Sequence, residues 1–364
     1  MSGKRLVTGL LGLALLTFAT PPAHADQQVR VLGVRTVPNA LPFAGTTVGG
    51  LSGIDYDYRT GQYVLLSDDR SQLQPARFYT AKIPVTARGL GEVTFTGTHA
   101  LTQPDGSTYP TDAVDPEELR VDPWCGTYYW SQEGDRSGVA ATPDPSVREA
   151  TRTGAYVRDL PIPENERVSE TAGPRPNQVL EAMTFAAAGS LVVTALEGPL
   201  QQDGPEATPE HGALSRITVQ SRFGPVLRQY AYQQEPVFAT PAPGGSANNG
   251  VVSILAAGGD PARFLVLERA YVSGVGNRVR IFEIDTRGAS NVLAVPSLAD
   301  APEVKPVRKK LVADLADLPI DHVDNVEGMT WGPRLATGER SLLLVSDDNF
   351  SSGQVTQVIA LAMR

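Results

Sequence analysis

One segment recurs along the chain and constrains its fold more than any other feature. An apolar run opens on a small or acidic residue, and a second run ends in acid. The first copy runs from Gly50-Leu51-Ser52-Gly53-Ile54-Asp55 to Val64-Leu65-Leu66-Ser67-Asp68-Asp69-Arg70. It returns as Leu180-Glu181-Ala182-Met183-Thr184-Phe185 to Thr194-Ala195-Leu196-Glu197. Near the end it reads Val326-Glu327-Gly328-Met329-Thr330-Trp331 to Leu344-Val345-Ser346-Asp347-Asp348-Asn349. Weaker copies run from Glu117-Glu118-Leu119 to Trp130-Ser131-Gln132-Glu133, and from Asn249-Gly250-Val251 to Leu267-Glu268-Arg269. A supersecondary unit repeated around one axis brings equivalent positions together, so these acids are expected on one face.

Between the copies lie two further strand-sized runs each time. They are Arg77–Ile83 and Glu92–Thr98, Ser146–Thr151 and Ala155–Leu160, Ser215–Gln220 and Val226–Tyr232, then Arg278–Ile284 and Lys310–Leu315. Glycine and proline are spread evenly, and long helical periodicity is absent, which reads as all-β. The last copy offers only Gln354–Ala362 before the chain stops, and Val29–Val37 supplies a spare strand. The expected fold is therefore a β-propeller of five four-stranded blades, with six left open, closed by the N-terminal strand. A β-sandwich is the competing architecture. Copies recur about 65 to 75 residues apart, more than the ~40–45 of a compact blade, so long loops are implied.

Lys4 and Arg5, the apolar stretch Leu6–Ala19 and Ala23-His24-Ala25 have the form of a secretory signal over residues 1–25. The run falls short of the ~20 residues of a membrane span, and no cysteine follows it to carry a lipid. A single domain over residues 26–364 is expected, secreted or periplasmic and monomeric. The 40 acidic residues exceed the 31 basic ones, which disfavours nucleic acid and anionic membrane as partners and suits cations. Cys125 is the only cysteine, so no internal disulfide forms, and its place beside Trp124 reads as a buried structural thiol.

In such a ring the inner strands begin, and the second strands end, at one rim of the channel. That places Glu117, Glu181 and Glu327 with Asp68, Asp69, Glu133, Asp135, Glu197, Glu268, Asp347 and Asp348. Crowded carboxylates repel unless cations occupy the site, and oxygen donors on irregular loops favour calcium. The plain alternative is acid as turn former. Arg70, Arg136 and Arg269 accompany the acids, either to bind an anionic substrate or to pair with neighbouring acid. No Gly-x-Ser-x-Gly elbow, His-Glu-x-x-His or phosphate loop occurs. His322, near the acids, reads as a loop histidine, and Asn349-Phe350-Ser351 matches a glycosylation acceptor.

These motifs together, Gly-Leu-Ser-Gly-Ile-Asp with Leu-Leu-Ser-Asp-Asp-Arg, Glu-Ala-Met-Thr-Phe, and Glu-Gly-Met-Thr-Trp with Val-Ser-Asp-Asp-Asn, resemble the phytase-like, "esterase-like activity of phytase", proteins of bacteria. The resemblance spans about Val31 to the C-terminus. It implies an exported propeller related to calcium-dependent phytases, in which calcium screens substrate phosphates and activates water. Carried over by position, it implies metal ligands at Asp68, Asp69, Glu181, Glu327, Asp347 and Asp348, to which the rim reading adds Glu197. Arg70 becomes the substrate-binding and catalytic arginine, supported by Arg136 and Arg269, and Glu327 holds metal or orients water. The lysine-rich pocket of a phytase has no counterpart, since Lys309 and Lys310 fall in an expected outer strand. A calcium-dependent lactonase or carboxylesterase and a non-catalytic ligand-binding propeller stand as the other readings.

Overall fold

The computed structural model describes residues 29–134 and 144–364. The expected signal segment, Asp135 and Arg136 lie outside the described residues. The fold is a five-bladed propeller, each blade a four-stranded antiparallel sheet. From the axis outward, blade 1 runs Leu51–Asp57, Gln62–Ser67, Arg77–Lys82 and Thr94–Ala100. Blade 2 runs Pro116–Val121, Tyr128–Gln132, Ser146–Ala150 and Tyr156–Leu160. Blade 3 has Ala182–Ala186, Leu191–Ala195, Leu214–Ser221 and Val226–Gln233, and blade 4 has Ala247–Ala256, Arg263–Val272, Gly276–Asp285 and Arg308–Asp314. Blade 5 takes Val326–Arg334, Arg340–Ser346 and Thr356–Met363 from the end of the chain, and Val29–Val37 as its outermost strand. Val29 pairs with Met363 and Val37 with Thr356, so the closure expected from the sequence is present. No helix among the described residues is long and apolar enough to cross a membrane.

Near-continuous apolar runs such as Val64-Leu65-Leu66 arise because each blade is covered on both faces. Leu65 faces blade 5, packing with Leu343, Val345 and Val358. Val64 and Leu66 face blade 2, packing with Leu119, Tyr128 and Trp130. Blades 2 and 3 share Tyr129, Val147, Met183 and Val192. Blades 3 and 4 share Val193, Ile217, Ile254 and Phe264, and blades 4 and 5 share Leu265, Ile281, Met329 and Ile359. The core is thus five packed interfaces arranged around an axis.

Near the axis inner strands approach too closely for side chains everywhere. A Cβ at Gly53 would lie 2.9 Å from the amide nitrogen of Leu119, and one at Gly328 would lie 2.6 Å from the Ser52 carbonyl oxygen. This explains the glycines of the recurrent motif. Into the space they leave, Glu118 reaches Ser253 Oγ at 2.8 Å and Arg120 at 2.7 Å. Arg120 in turn donates to the carbonyl oxygens of Met183 (2.7 Å), Ile54 (2.7 Å) and Ile254 (3.2 Å). One guanidinium therefore ties blades 1, 3 and 4 to blade 2 and bars the channel between its two ends.

Candidate functional site: an acidic basin at one end of the channel

A β-bulge in the inner strands fixes which side chains enter the basin. Register shifts fall between Leu51 and Gly53, Pro116 and Leu119, Val251 and Ser253, and Val326 and Gly328. The extra residue leaves the ladder and re-aims its side chain. The residues at these bulges are Ser52, Glu117, Val252 and Glu327, and in blade 3 Glu181 stands at the equivalent place just before the inner strand Ala182–Ala186. Just beyond the bulge the second strand leaves the sheet, with Asp68 N donating to Gly50 O, Glu133 N to Asp115 O, Glu197 N to Val179 O and Asp347 N to Asn325 O. In blade 4 the residue opposite Gly250 at this position is Arg269. The recurrent motif therefore delivers a carboxylate from four blades and a guanidinium from the fifth copy of the position.

The acids converge as expected. Burial, then Asp347, Glu327 and Asp115, push Asp68 well above the usual carboxylate range. Burial with Glu181, Asp115 and Glu133 does the same to Glu117, and burial with Glu133, Glu197 and Glu327 to Glu181. Glu133 and Asp347 are raised by burial and by their acidic neighbours. Burial lifts Glu197 to about 7 against the pull of Arg269, and raises Glu327 against Arg269 and Asn325. Arg269 Nη2 lies 3.1 Å from Glu327 Oε1 and 3.6 Å from Glu197 Oε1. Among the described residues, the side chains of Asp68, Glu117 and Glu181 accept no hydrogen bond. Like charges at this density disfavour ionisation unless a cation is supplied.

Not every residue expected in this group belongs to it. In both Ser-Asp-Asp motifs the first aspartate enters the basin and the second braces its loop. Asp69 accepts the amides of Gln72, Leu73 and Gln74 and pairs with buried Arg77 at 2.6 Å. Asp348 accepts the amides of Gly50 and Phe350. The latter bond holds a corner where Asn349 and Phe350 both have left-handed φ, at 47° and 51°. Such strain persists only where the surroundings over-determine it. Glu268 points away from the basin, taking Tyr232 Oη (2.6 Å), Asn249 Nδ2 (2.9 Å) and Lys309 Nζ (2.7 Å). Its neighbour Arg269 faces inward instead, because strand residues alternate. Lys309 stands on the outer strand of blade 4 as expected. Arg70 sits at the basin edge, its Nε 3.5 Å from Asp115 Oδ2 and 3.9 Å from Asp112 Oδ1.

Two residues of interest escaped the sequence reading or were misplaced by it. Asp115 enters the basin but precedes the motif; the available signal was its place two residues before Glu117. Cys125 is exposed, not buried, since Asp122–Gly126 is a turn in which Trp124 lays its ring over the far rim and bonds Ala188 O. His322 is an exposed loop residue 3.5 Å from Asp324.

The donor set suits a hard cation. Asp115, Glu117 and Glu133 each present an oxygen within 4.8 Å of one another, and so do Glu133, Glu181 and Glu197. Glu133 belongs to both triads. Every donor is a carboxylate oxygen, which fits calcium better than zinc or copper.

A five-bladed propeller with a carboxylate basin on its axis defines the class of protein. The model of the phytase-like family, described as "esterase-like activity of phytase", matches residues 46–350. The chain belongs to that family. No match was found among curated protein sequences. Among solved structures, it is similar to a periplasmic gluconolactonase of Pseudomonas aeruginosa at 12% identity, over 87% of this chain and 86% of that one, with a TM-score of 0.39. It is also similar to an α-L-arabinofuranosidase of Lactobacillus brevis at 14% identity, over 86% of this chain and 91% of that one, with a TM-score of 0.45. At such identities and scores neither carries weight for the chemistry of this chain.

Proposed function

We propose that the basin binds calcium and hydrolyses a small anionic ester, most simply a phosphomonoester, in an exported monomeric enzyme. The observation that carries this reading is the pair of carboxylate triads sharing Glu133, beside three acids that accept no hydrogen bond among the described residues. Asp115, Glu117, Glu133, Glu181 and Glu197 would hold the cation, with Asp68 and Asp347 as further donors. Bound calcium supplies Lewis acidity and screens the charge of the substrate. Arg269 and Arg70 flank the basin from opposite sides and offer guanidinium donors to an anionic oxygen as charge develops on it. Glu327 Oε1 is held by Asn325 Nδ2 at 3.0 Å and by Arg269. Its second oxygen, with proton affinity raised by burial, is placed to take a proton from an attacking water.

A neutral carboxylic ester or lactone is the second substrate class, favoured by the esterase-like description of the family and by the lack of a lysine cluster in the basin among the described residues. The test is turnover of p-nitrophenyl phosphate, phytate, p-nitrophenyl acetate and a γ-lactone, each in calcium and in chelator. Calcium-dependent phosphate release supports the first reading, and calcium-dependent ester or lactone cleavage replaces it with the second. No turnover of any of them makes the protein a binding module. Within the first reading, Arg70→Ala and Arg269→Ala should each cost about 10²- to 10³-fold in turnover. Glu327→Gln should lose calcium-dependent activity.

A further inference from the structure

The opposite end of the channel, beyond the Arg120 bar, holds a cavity of about 630 Å³. It lies among the turns that join inner to second strands, and its walls include Tyr56, Tyr58, Phe185, Leu255, Trp124 and Trp331. Trp124 donates its indole N–H to Ala188 O at 2.6 Å, and Trp331 to Ala256 O at 2.8 Å. A guanidinium covers each ring as well, Arg222 at 4.0 Å and Arg340 at 3.6 Å from the centroids. Their polar atoms are thus committed, and what they offer the cavity is carbon surface. At its mouth Tyr58 is 70% and Trp124 49% exposed, with Phe223, 70% exposed, 6.0 Å from Trp124. Single exposed aromatics need no explanation, but a group around one cavity marks a binding site.

The floor carries one open acceptor. Asp55 takes a hydrogen bond from Thr330 Oγ1 at 2.6 Å on one oxygen and from Val121 N at 2.8 Å on the other. A carboxylate offers about four lone-pair sites, so each oxygen can accept once more. The cationic groups nearby are already hydrogen-bonded. Arg120 lies 3.8 Å from Asp55, Arg59 donates to the carbonyls of Asp122, Pro123 and Trp124, and Arg340 donates to Ala257 O. The cavity therefore presents apolar aromatic walls and one acceptor, with the guanidiniums of Arg59 and Arg340 committed to backbone carbonyls.

We propose that this cavity binds a neutral aromatic molecule carrying one hydroxyl or N–H donor, of the phenol or indole class. The ring packs on the aromatic walls and the donor bonds Asp55. The volume lies within the ~300–1,000 Å³ of small-molecule sites. The site is independent of the acidic basin and needs no calcium.

Calorimetric titration of the full chain with phenol, benzene and glucose, in chelator and in calcium, tests it. Saturable phenol binding unaffected by chelator is expected, with benzene bound about tenfold more weakly for want of the charge-assisted hydrogen bond. Ala256→Trp, which fills the cavity, should abolish binding. Asp55→Asn should weaken phenol about tenfold toward the benzene value. Absence of saturable binding by phenol and indole at millimolar concentration overturns the proposal, as does binding that Ala256→Trp leaves intact. Tighter binding of glucose than of phenol overturns the ligand class. Should Asp55→Asn unfold, the comparison of phenol with benzene on the unaltered protein decides the role of the acceptor.

Discussion

Arg269 Nη2 stands 3.1 Å from Oε1 of Glu327 and 3.6 Å from Oε1 of Glu197, so a guanidinium from blade 4 is shared by carboxylates of blades 5 and 3. At the equivalent position, blades 1, 2, 3 and 5 carry Asp68, Glu133, Glu197 and Asp347. Arg269→Met leaves these acids facing one another. Breaking one side of a buried ion pair costs about 3–5 kcal/mol, and the melting temperature in chelator should drop accordingly. Saturating calcium should restore much of the loss by substituting for the missing cation. A variant that melts as the parent protein does in chelator would show that Arg269 does not balance the basin.

The basin makes stability depend on pH. Glu197 has a folded-state pKa of about 7, above its unfolded value of about 4.3, and Asp68, Glu117, Glu133, Glu181 and Asp347 are shifted in the same direction. The folded protein thus binds more protons than the unfolded chain, and stability in chelator should fall as pH rises from about 4.5 to 7. Calcium, which favours the ionised acids, should flatten or reverse that slope. Denaturant unfolding at several pH values with and without calcium checks both parts. A calcium-free protein that grows more stable from pH 5 to 7 contradicts the assignment.

The two aspartates of the first Ser-Asp-Asp motif should respond oppositely. Asp68→Asn removes a charge from a repelling group, so the calcium-free protein should gain stability while its calcium affinity falls. Asp69→Ala deprives three amides and Arg77 of their acceptor and should cost several kcal/mol, with calcium binding per folded molecule unchanged. Melting curves combined with isothermal titration separate the two; identical behaviour would refute the division of labour.

Closure through Val29–Val37 should be essential. The strand contributes the whole outer edge of blade 5, and its loss exposes the edge formed by Thr356–Met363. The deletion variant should aggregate or melt far below the full chain. A monomeric deletion protein with the parental melting temperature would be the contrary result.

Calcium bound only by the folded state stabilises it by about 2.7 kcal/mol at a hundred times its dissociation constant. Removal by chelator should therefore lower the melting temperature reversibly, and elemental analysis of protein purified without chelator should find calcium. Superimposable melts, with no metal present, would remove the cation from the reading.

The sequence by itself determined the ring. Its repeated apolar runs need cover on both faces, which stacked blades provide, and the missing fourth strand of the last copy together with the spare Val29–Val37 determined how the ring closes. The motif spacing also determined that Asp68, Glu117, Glu133, Glu181, Glu197, Glu327 and Asp347 share one rim. Only the tertiary structure decided which acids face the axis. A single-residue bulge in the inner strands re-aims Glu117 and Glu327, alternation along the second strand of blade 4 turns Glu268 outward and Arg269 inward, and local loop geometry commits Asp69 and Asp348 to backbone amides. Asp115 joined the basin through a contact with the Glu133 loop, which its place two residues before Glu117 does not by itself reveal. The aromatic cavity beyond Arg120 was likewise invisible, because Tyr58, Trp124 and Trp331 come from separate blades. Their meeting depends on how the inner strands close around the axis, which is set by packing between blades and not by the spacing of any one of them.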